Sequence, residues 1–337
     1  MNTRRDFMKK AGVAGLSISL PNFNIHQKSS APAGKRIGII GLDTSHSPAF
    51  TKMFNAKEQE AKLKGYQVVA AYPYGSKDIP SSVERIPKYT EEVKALGVEI
   101  VDSIDKLLEK VDFVLLETND GRPHLEQGLQ VLKAGKTMFV DKPVTASLHD
   151  AIALYEAAEE YNTPIFSSSS LRYLQKAQDV RHKNIAGDVT GAMSFSPASL
   201  EEHHPDLFWY GIHGVEILFT VMGTGCRRVQ RIATPDTDIV VGTWQDGRLG
   251  TFRGSRTGKH DYGGIAFGTK ENINLGPYGG YQNLVAKIAE FFESGKPPVS
   301  PQETLEIYAF MEAADESKRQ DGSEVSLNYV MNKARNS

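Results

Sequence analysis

Cysteine is almost missing from this chain of 337 residues. Cys226 stands alone, so neither an intrachain disulfide nor a cysteine-rich zinc site can form. A dominant charge is missing too. Lysine and arginine number 39 against 41 aspartates and glutamates, a formal net charge of −2, which argues against a nucleic-acid or anionic-membrane surface. Internal repeats and low-complexity tracts are lacking. The one modest apolar run, Ala11 to Leu20, is too short for a stable bilayer anchor. What is present is ordinary globular composition, 40% hydrophobic and 24% charged, in a chain long enough for two domains.

A further shortage is local. Ile37, Ile39 and Ile40 read as a short buried strand, and Gly41 to His46 as a turn. Ser47 is the expected N-cap of the next helix, with Pro48 at its first position. Such a strand-turn-helix is where a doubly wound sheet holds the pyrophosphate of a dinucleotide. The usual G-x-G-x-x-G fingerprint is reduced to its first glycine, because the three slots hold Gly41, Asp43 and His46. Asp43 puts a carboxylate where two phosphates are expected, unless it turns away. The acidic residue that commonly ends the second strand is also missing near Tyr72 and Pro73, and Lys77 downstream suits a 2′-phosphate.

The first 33 residues read as an address rather than as fold. Thr3-Arg4-Arg5-Asp6-Phe7-Met8-Lys9-Lys10 is a twin-arginine signature, and Ala31-Pro32-Ala33 fits a small-residue cleavage site. A periplasmic mature protein without a membrane anchor is therefore expected. Residues 34–166 alternate short apolar strands with helices, predicting a Rossmann-type, doubly wound parallel sheet. Strands are expected at Tyr66–Tyr72, Val98–Val101, Val111–Leu116, Thr137–Val140 and Pro164–Ser167. Helices are expected at Glu91–Leu96, Ile104–Lys110, His124–Ala134 and Leu148–Tyr161. Residues 167–337 change texture. Longer β stretches and helices at Trp209–Met222, Tyr281–Ser294 and Pro301–Gln320 predict an α+β domain with an open, mainly antiparallel sheet.

Four features together resemble the glucose-fructose oxidoreductase and inositol dehydrogenase (Gfo/Idh/MocA) family, over about residues 35 to 330. They are the Ile-Gly-Ile-Ile-Gly turn ending at Gly41, Thr118-Asn119 with His124, Asp141-Lys142-Pro143, and Gly211-Ile212-His213 with Glu216. The resemblance implies NAD or NADP in the crevice beside Gly41, Asp43, Thr44, Ser45, His46, Thr118, Asn119, Asp141 and Lys142. It implies Lys142 at the reacting hydroxyl and His213 as general acid or base, a task that histidine suits because its pKa lies near the working pH. The family's aspartate slot holds Trp209, so Asp206 and Tyr210 are candidate substitutes. Arg172 stands where the family carries an arginine near substrate.

Upstream, Glu201-Glu202-His203-His204-Pro205-Asp206 contains metal-ligand residue types, although a polar loop over the cleft, with His204 toward substrate, is the favoured reading and no metal is expected. The function expected is a nicotinamide-dependent oxidation or reduction of a sugar, polyol or related hydroxyl compound. The alternative is a carbohydrate-derivative lyase, hydrolase or epimerase on the same scaffold. A non-enzymatic carbohydrate-binding protein is disfavoured by Lys142 and His213. A homo-oligomer formed through the second domain's sheet is also expected.

Overall fold

The computed structural model describes residues 34–336. The twin-arginine segment and its cut near Ala33 lie outside the described residues. The apolar runs form β1 (Arg36–Ile40), β2 (Gln67–Tyr72), β3 (Glu99–Ile100), β4 (Phe113–Leu116), β5 (Met138–Val140) and β6 (Ile165–Ser167). They pair in parallel in the order β3-β2-β1-β4-β5-β6. This is the doubly wound order, and its switch point lies between β1 and β4. The side chains of β1, β4, β5 and β6 are almost all buried, because helices cover both faces.

The covering helices are α1 (His46–Phe54), α2 (Pro80–Ala95), α3 (Ile104–Leu108), α4 (His124–Lys133) and α5 (Leu148–Glu160). Ser103 and Ser147 cap α3 and α5 by accepting the N–H of Lys106 and of Asp150. Two expectations need correction. Helix α1 begins at His46, not after Ser47, and Ser47 donates its hydroxyl to the Gly41 carbonyl instead of capping. Helix α2 is far longer than the expected Glu91–Leu96 turn. Its polar first half buries only Ser82, so it carries little hydrophobic periodicity to read.

The second half adds α6 (Gln175–Lys183), β7 (Val189–Pro197), α7 (Ile212–Met222), β8 (Cys226–Ala233), β9 (Thr237–Trp244) and β10 (Leu249–Ser255). It continues with β11 (Gly263–Gly268), β12 (Ile273–Asn274), α8 (Gln282–Ser294), α9 (Pro301–Arg319), β13 (Val325–Ser326) and α10 (Leu327–Arg335). The seven strands run β12-β11-β7-β10-β9-β8-β13. Every pairing is antiparallel except β7 with β10. Burial alternates along β9, so one face packs on helices while the other looks outward. Helix α7 is apolar on nearly every side and wholly buried, between this sheet and α9.

A turn of π-helix, Leu207–Gly211, precedes α7. Helix α8 returns to the first sheet, where Leu284, Val285 and Ile288 join the core around Ile37, Phe50 and Phe139. The two halves thus share packing, and their seam lies over the carboxyl ends of β1, β4 and β5. Among the described residues, no helix is long and apolar enough to cross a membrane.

Candidate active site

The β1–α1 turn is built around Gly41. Its φ is +95°, and a Cβ there would lie 2.4 Å from the Thr118 backbone nitrogen. Only glycine meets both demands. Thr118 is wholly buried beside it, and its hydroxyl donates to Gln127 Oε1 at 2.9 Å. The Asp43 carboxylate turns away from the helix start. It accepts the Asn119 N–H at 2.9 Å and the Ser82 hydroxyl at 2.8 Å. Burial raises its pKa to about 6, against the opposing pull of those bonds. Asp43 therefore clamps three segments together.

Thr44, Ser45 and His46 then open onto a cavity of about 200 Å³ at the seam. Helix α1 has no acidic residue in its first turn and no cap from Ser45, and only a long 3.4 Å bond from the His46 N–H to the Thr44 hydroxyl occupies its N-terminal amides, so they are available to an anion. Asn119, from the end of β4, and Lys142, just past β5, form the neighbouring wall. The second half supplies His213 and Tyr210 from the start of α7, and Ser170 from the turn after β6. Tyr262, Tyr278 and Tyr281 complete an aromatic wall that sequence reasoning did not assign to the site. Their crowding into twenty residues was the available signal. Arg85 and Tyr89 of α2 also reach the cavity and were likewise missed.

His213 is buried, with Nδ1 2.7 Å from the Ser169 hydroxyl oxygen. Burial, followed by the positive charge of Lys142 and of His46, holds its pKa well below the ordinary histidine value. The ring is neutral at neutral pH. Serine can satisfy Nδ1 as donor or acceptor, and Nε2 has no hydrogen-bond partner among the described residues. The Tyr210 ring lies 4.9 Å from that of His213, the Lys142 ammonium nitrogen is 6.0 Å from the Tyr210 ring centre, and the Tyr210 and Tyr262 hydroxyls meet at 2.8 Å. His124 stays behind the wall, fully buried, with Nε2 2.7 Å from the Thr118 carbonyl oxygen.

Beneath Lys142 lie Asp141 and Glu117, both fully buried. Asp141 Oδ2 is 2.6 Å from His46 Nδ1. Burial works against the Asp141 charge, but His46 and Lys142 outweigh it and its pKa falls. The Glu117 pKa rises well above the ordinary value, through burial and then the charge of Asp141.

Three expected site residues belong elsewhere. Asp206 pairs with Arg231 and Lys318, which draw it out of the cleft. Arg172 is not at the cavity: its Nε donates to Glu216 at 2.6 Å and its Nη1 to Glu303 at 2.7 Å. The charges of those two glutamates outcompete any neutral substrate hydroxyl for the guanidinium. His204 packs against Trp209 at 5.2 Å, with its Nδ1 3.2 Å from the Pro205 carbonyl oxygen, outside the cavity wall.

The residues present suit a nicotinamide cofactor at one end of the crevice. Free amides at the start of α1 suit its diphosphate, Asp43 is turned aside, and the cavity between Asn119 and Lys142 has the size of a ring. Toward the other end, Ser76 bonds Asp120, while Arg122 grips both Asp120 and Asp78, at 2.8 Å to the latter. These bonds tie the loop after β2 to the loop after β4.

Residues 35–168 match the profile of the GFO_IDH_MocA oxidoreductase family, described by its NAD-binding Rossmann fold. A curated relative, an uncharacterized oxidoreductase of Streptococcus pneumoniae, is 24% identical over 119 residues, 34% of this chain and 32% of that one. The match thus spans about a third of that relative's length. Solved structures of similar fold extend further. The scyllo-inositol dehydrogenase of Lactobacillus casei, solved with NAD(H) and scyllo-inositol, superposes with a TM-score of 0.67. It is 17% identical, over 87% of this chain and 99% of that one. The myo-inositol 2-dehydrogenase of Lactobacillus plantarum gives 0.69 at 15% identity, over 86% and 98%. An oxidoreductase of Thermotoga maritima gives 0.65 at 18%, over 88% and 99%. At such identities the likeness establishes the fold.

Proposed function

We propose that this chain, whose first domain is of the Gfo/Idh/MocA oxidoreductase family, uses NAD or NADP to oxidise or reduce a hydroxyl-bearing carbon of a sugar or polyol. One observation carries the reading. Lys142, from the end of the first sheet, and His213, from the second domain, face one ring-sized cavity that begins at the N-terminus of α1. The cofactor, when bound, supplies the hydride acceptor. Neutral His213, its Nδ1 held by Ser169, takes the hydroxyl proton at Nε2. The Lys142 ammonium stabilises the oxygen as negative charge builds there. The hydroxyls of Ser170 and of Tyr210, Tyr262, Tyr278 and Tyr281 offer polar contacts for a polyol, and the tyrosine rings give it a flat wall.

The test is direct. Calorimetric titration with NAD and NADP, followed by a polyol and sugar panel read at 340 nm, should give binding and turnover. Turnover of a carbohydrate derivative with no nucleotide bound would overturn the redox reading in favour of a lyase, hydrolase or epimerase.

We also propose periplasmic residence by the twin-arginine route, supported by Arg4-Arg5 with Phe7 and Lys9. Replacing both arginines by lysine should keep the protein in the cytoplasm. Self-association through the outward sheet face is supported by Met193, Leu249, Phe267 and Ile232, which are exposed there.

A further inference from the structure

The proposed redox step leaves unused a cluster at the carboxyl edge of the first sheet. Glu117 is completely buried, and neither of its oxygens has a hydrogen-bond partner among the described residues. Asp141 is equally buried, and its Oδ1 is also without a partner. Buried carboxylate oxygens are seldom left so, and three in one place call for a specific cause. His46 closes the group. One ligand atom from each of His46, Glu117 and Asp141 lies within 4.8 Å of the other two.

Charge tells the same story. Two carboxylates, Glu117 and Asp141, are buried side by side there, and holding both ionised calls for a cation beside them. Elsewhere in the fold the buried acids are matched by arginines. Here, among the described residues, no arginine pairs with Glu117 or Asp141.

We propose that His46, Glu117 and Asp141 bind one divalent transition-metal ion, of the zinc or manganese class. One imidazole and two carboxylates form a donor set that suits such ions. Bonds of about 2.0–2.2 Å place two ligand atoms of one ion at most about 4.4 Å apart, near the spacing already present. His46 and Lys142 both reach the cavity, so the ion sits at its floor, one side chain from the proposed reaction. His46 begins α1, Glu117 follows β4 and Asp141 follows β5, so the ion also ties three segments of the crevice together.

The experiment uses the full chain, without a histidine tag, purified free of chelators. Elemental analysis by mass spectrometry should find one divalent ion per chain. Protein stripped with EDTA should melt lower and recover on addition of Zn²⁺ or Mn²⁺. Glu117→Gln keeps the shape and removes a ligand charge. It should bind the ion more weakly by about 10²-fold or more, and its melting temperature should no longer respond to either ion. Circular dichroism establishes that the variant is folded, and His46→Gln takes its place if it is not. Metal-free wild type whose melting ignores both ions overturns the proposal. So does a folded variant that holds the ion as wild type does, because the ion then lies elsewhere.

Discussion

Two parts of this molecule bury charge, and they do it in opposite ways. In the second domain, Arg231 is fully buried and spends its guanidinium on Asp238, Asp315 and Asp206. Arg172 is similarly fixed between Glu216 and Glu303, and Glu303 is shared with Arg181 at 2.7 Å. At the end of the first sheet, Glu117 and Asp141 lie as deep but leave three oxygens without partners. Burial alone does not distinguish the two regions, whereas charge matching does: each network carboxylate meets a guanidinium, although Arg172 Nη2 is left without a partner among the described residues. A charge-matched network has little left to offer a ligand, and its removal costs stability. An unmatched one costs stability as it stands, and such sites are kept where chemistry needs them.

The sharpest way to break this contrast is Arg172→Ala. It strands Glu216 in the core and removes one of the two arginines that hold Glu303. A loss of about 3–5 kcal/mol is expected, read by urea unfolding. Unchanged stability with lost activity would return Arg172 to the substrate site.

Lys142→Ala and His213→Ala should do the reverse. Each is expected to lower turnover by about 10² to 10⁴ with little change in melting temperature. The double variant should be scarcely worse than either single one if the two residues act together. Additive losses would separate their roles.

These expectations rest on contacts that the sequence reveals unevenly. The β1–α1 turn, the ends of β4 and β5 and the Asp141-Lys142-Pro143 corner are legible because strand, turn and helix starts leave local marks. Lys142 and His213 are legible through motif and spacing. Arg172 and Asp206 misled because their partners come from far along the chain: Glu303 lies 131 residues from Arg172, and Lys318 lies 112 from Asp206. Nothing local distinguishes an arginine bound for a glutamate from one bound for a sugar. Glu117 is the converse case, ordinary at the end of an apolar strand until His46 and Asp141 are set beside it. Helices α2, α6 and α10 were shortened or missed because each shows mostly polar residues to solvent.

Asp43 sharpens the comparison through pH. Its folded pKa of about 6 lies above the ordinary 3.8, so its contribution is fully present below pH 4 and is lost as pH rises through 6. The loss is on the order of 3 kcal/mol by pH 7. Asparagine keeps the acceptor for the Asn119 N–H and can donate to Ser82. Asp43→Asn should therefore gain on wild type between pH 4 and pH 7, measured by urea unfolding at each. A gap that does not change with pH would mean that Asp43 ionises freely in the folded state.

Asp206 gives the smallest effect and tests the matched side of the contrast at its edge. Burial opposes its charge, but the bond from Lys318 and the field of Arg231 win, and its pKa falls below the ordinary range. A depressed carboxylate contributes stability above its unfolded pKa, lost as pH drops through the folded one. Its side chain is 29% exposed, and Arg231 keeps Asp238 and Asp315 when Asp206 is neutralised. Asp206→Asn should therefore cost no more than about 1 kcal/mol at pH 7. The cost should vanish in acid, below the folded pKa, because wild type is then protonated as well. Turnover and its pH profile should not move. A fall in turnover without a fall in stability would place Asp206 at the substrate, and the division between matched networks and unmatched sites would fail there.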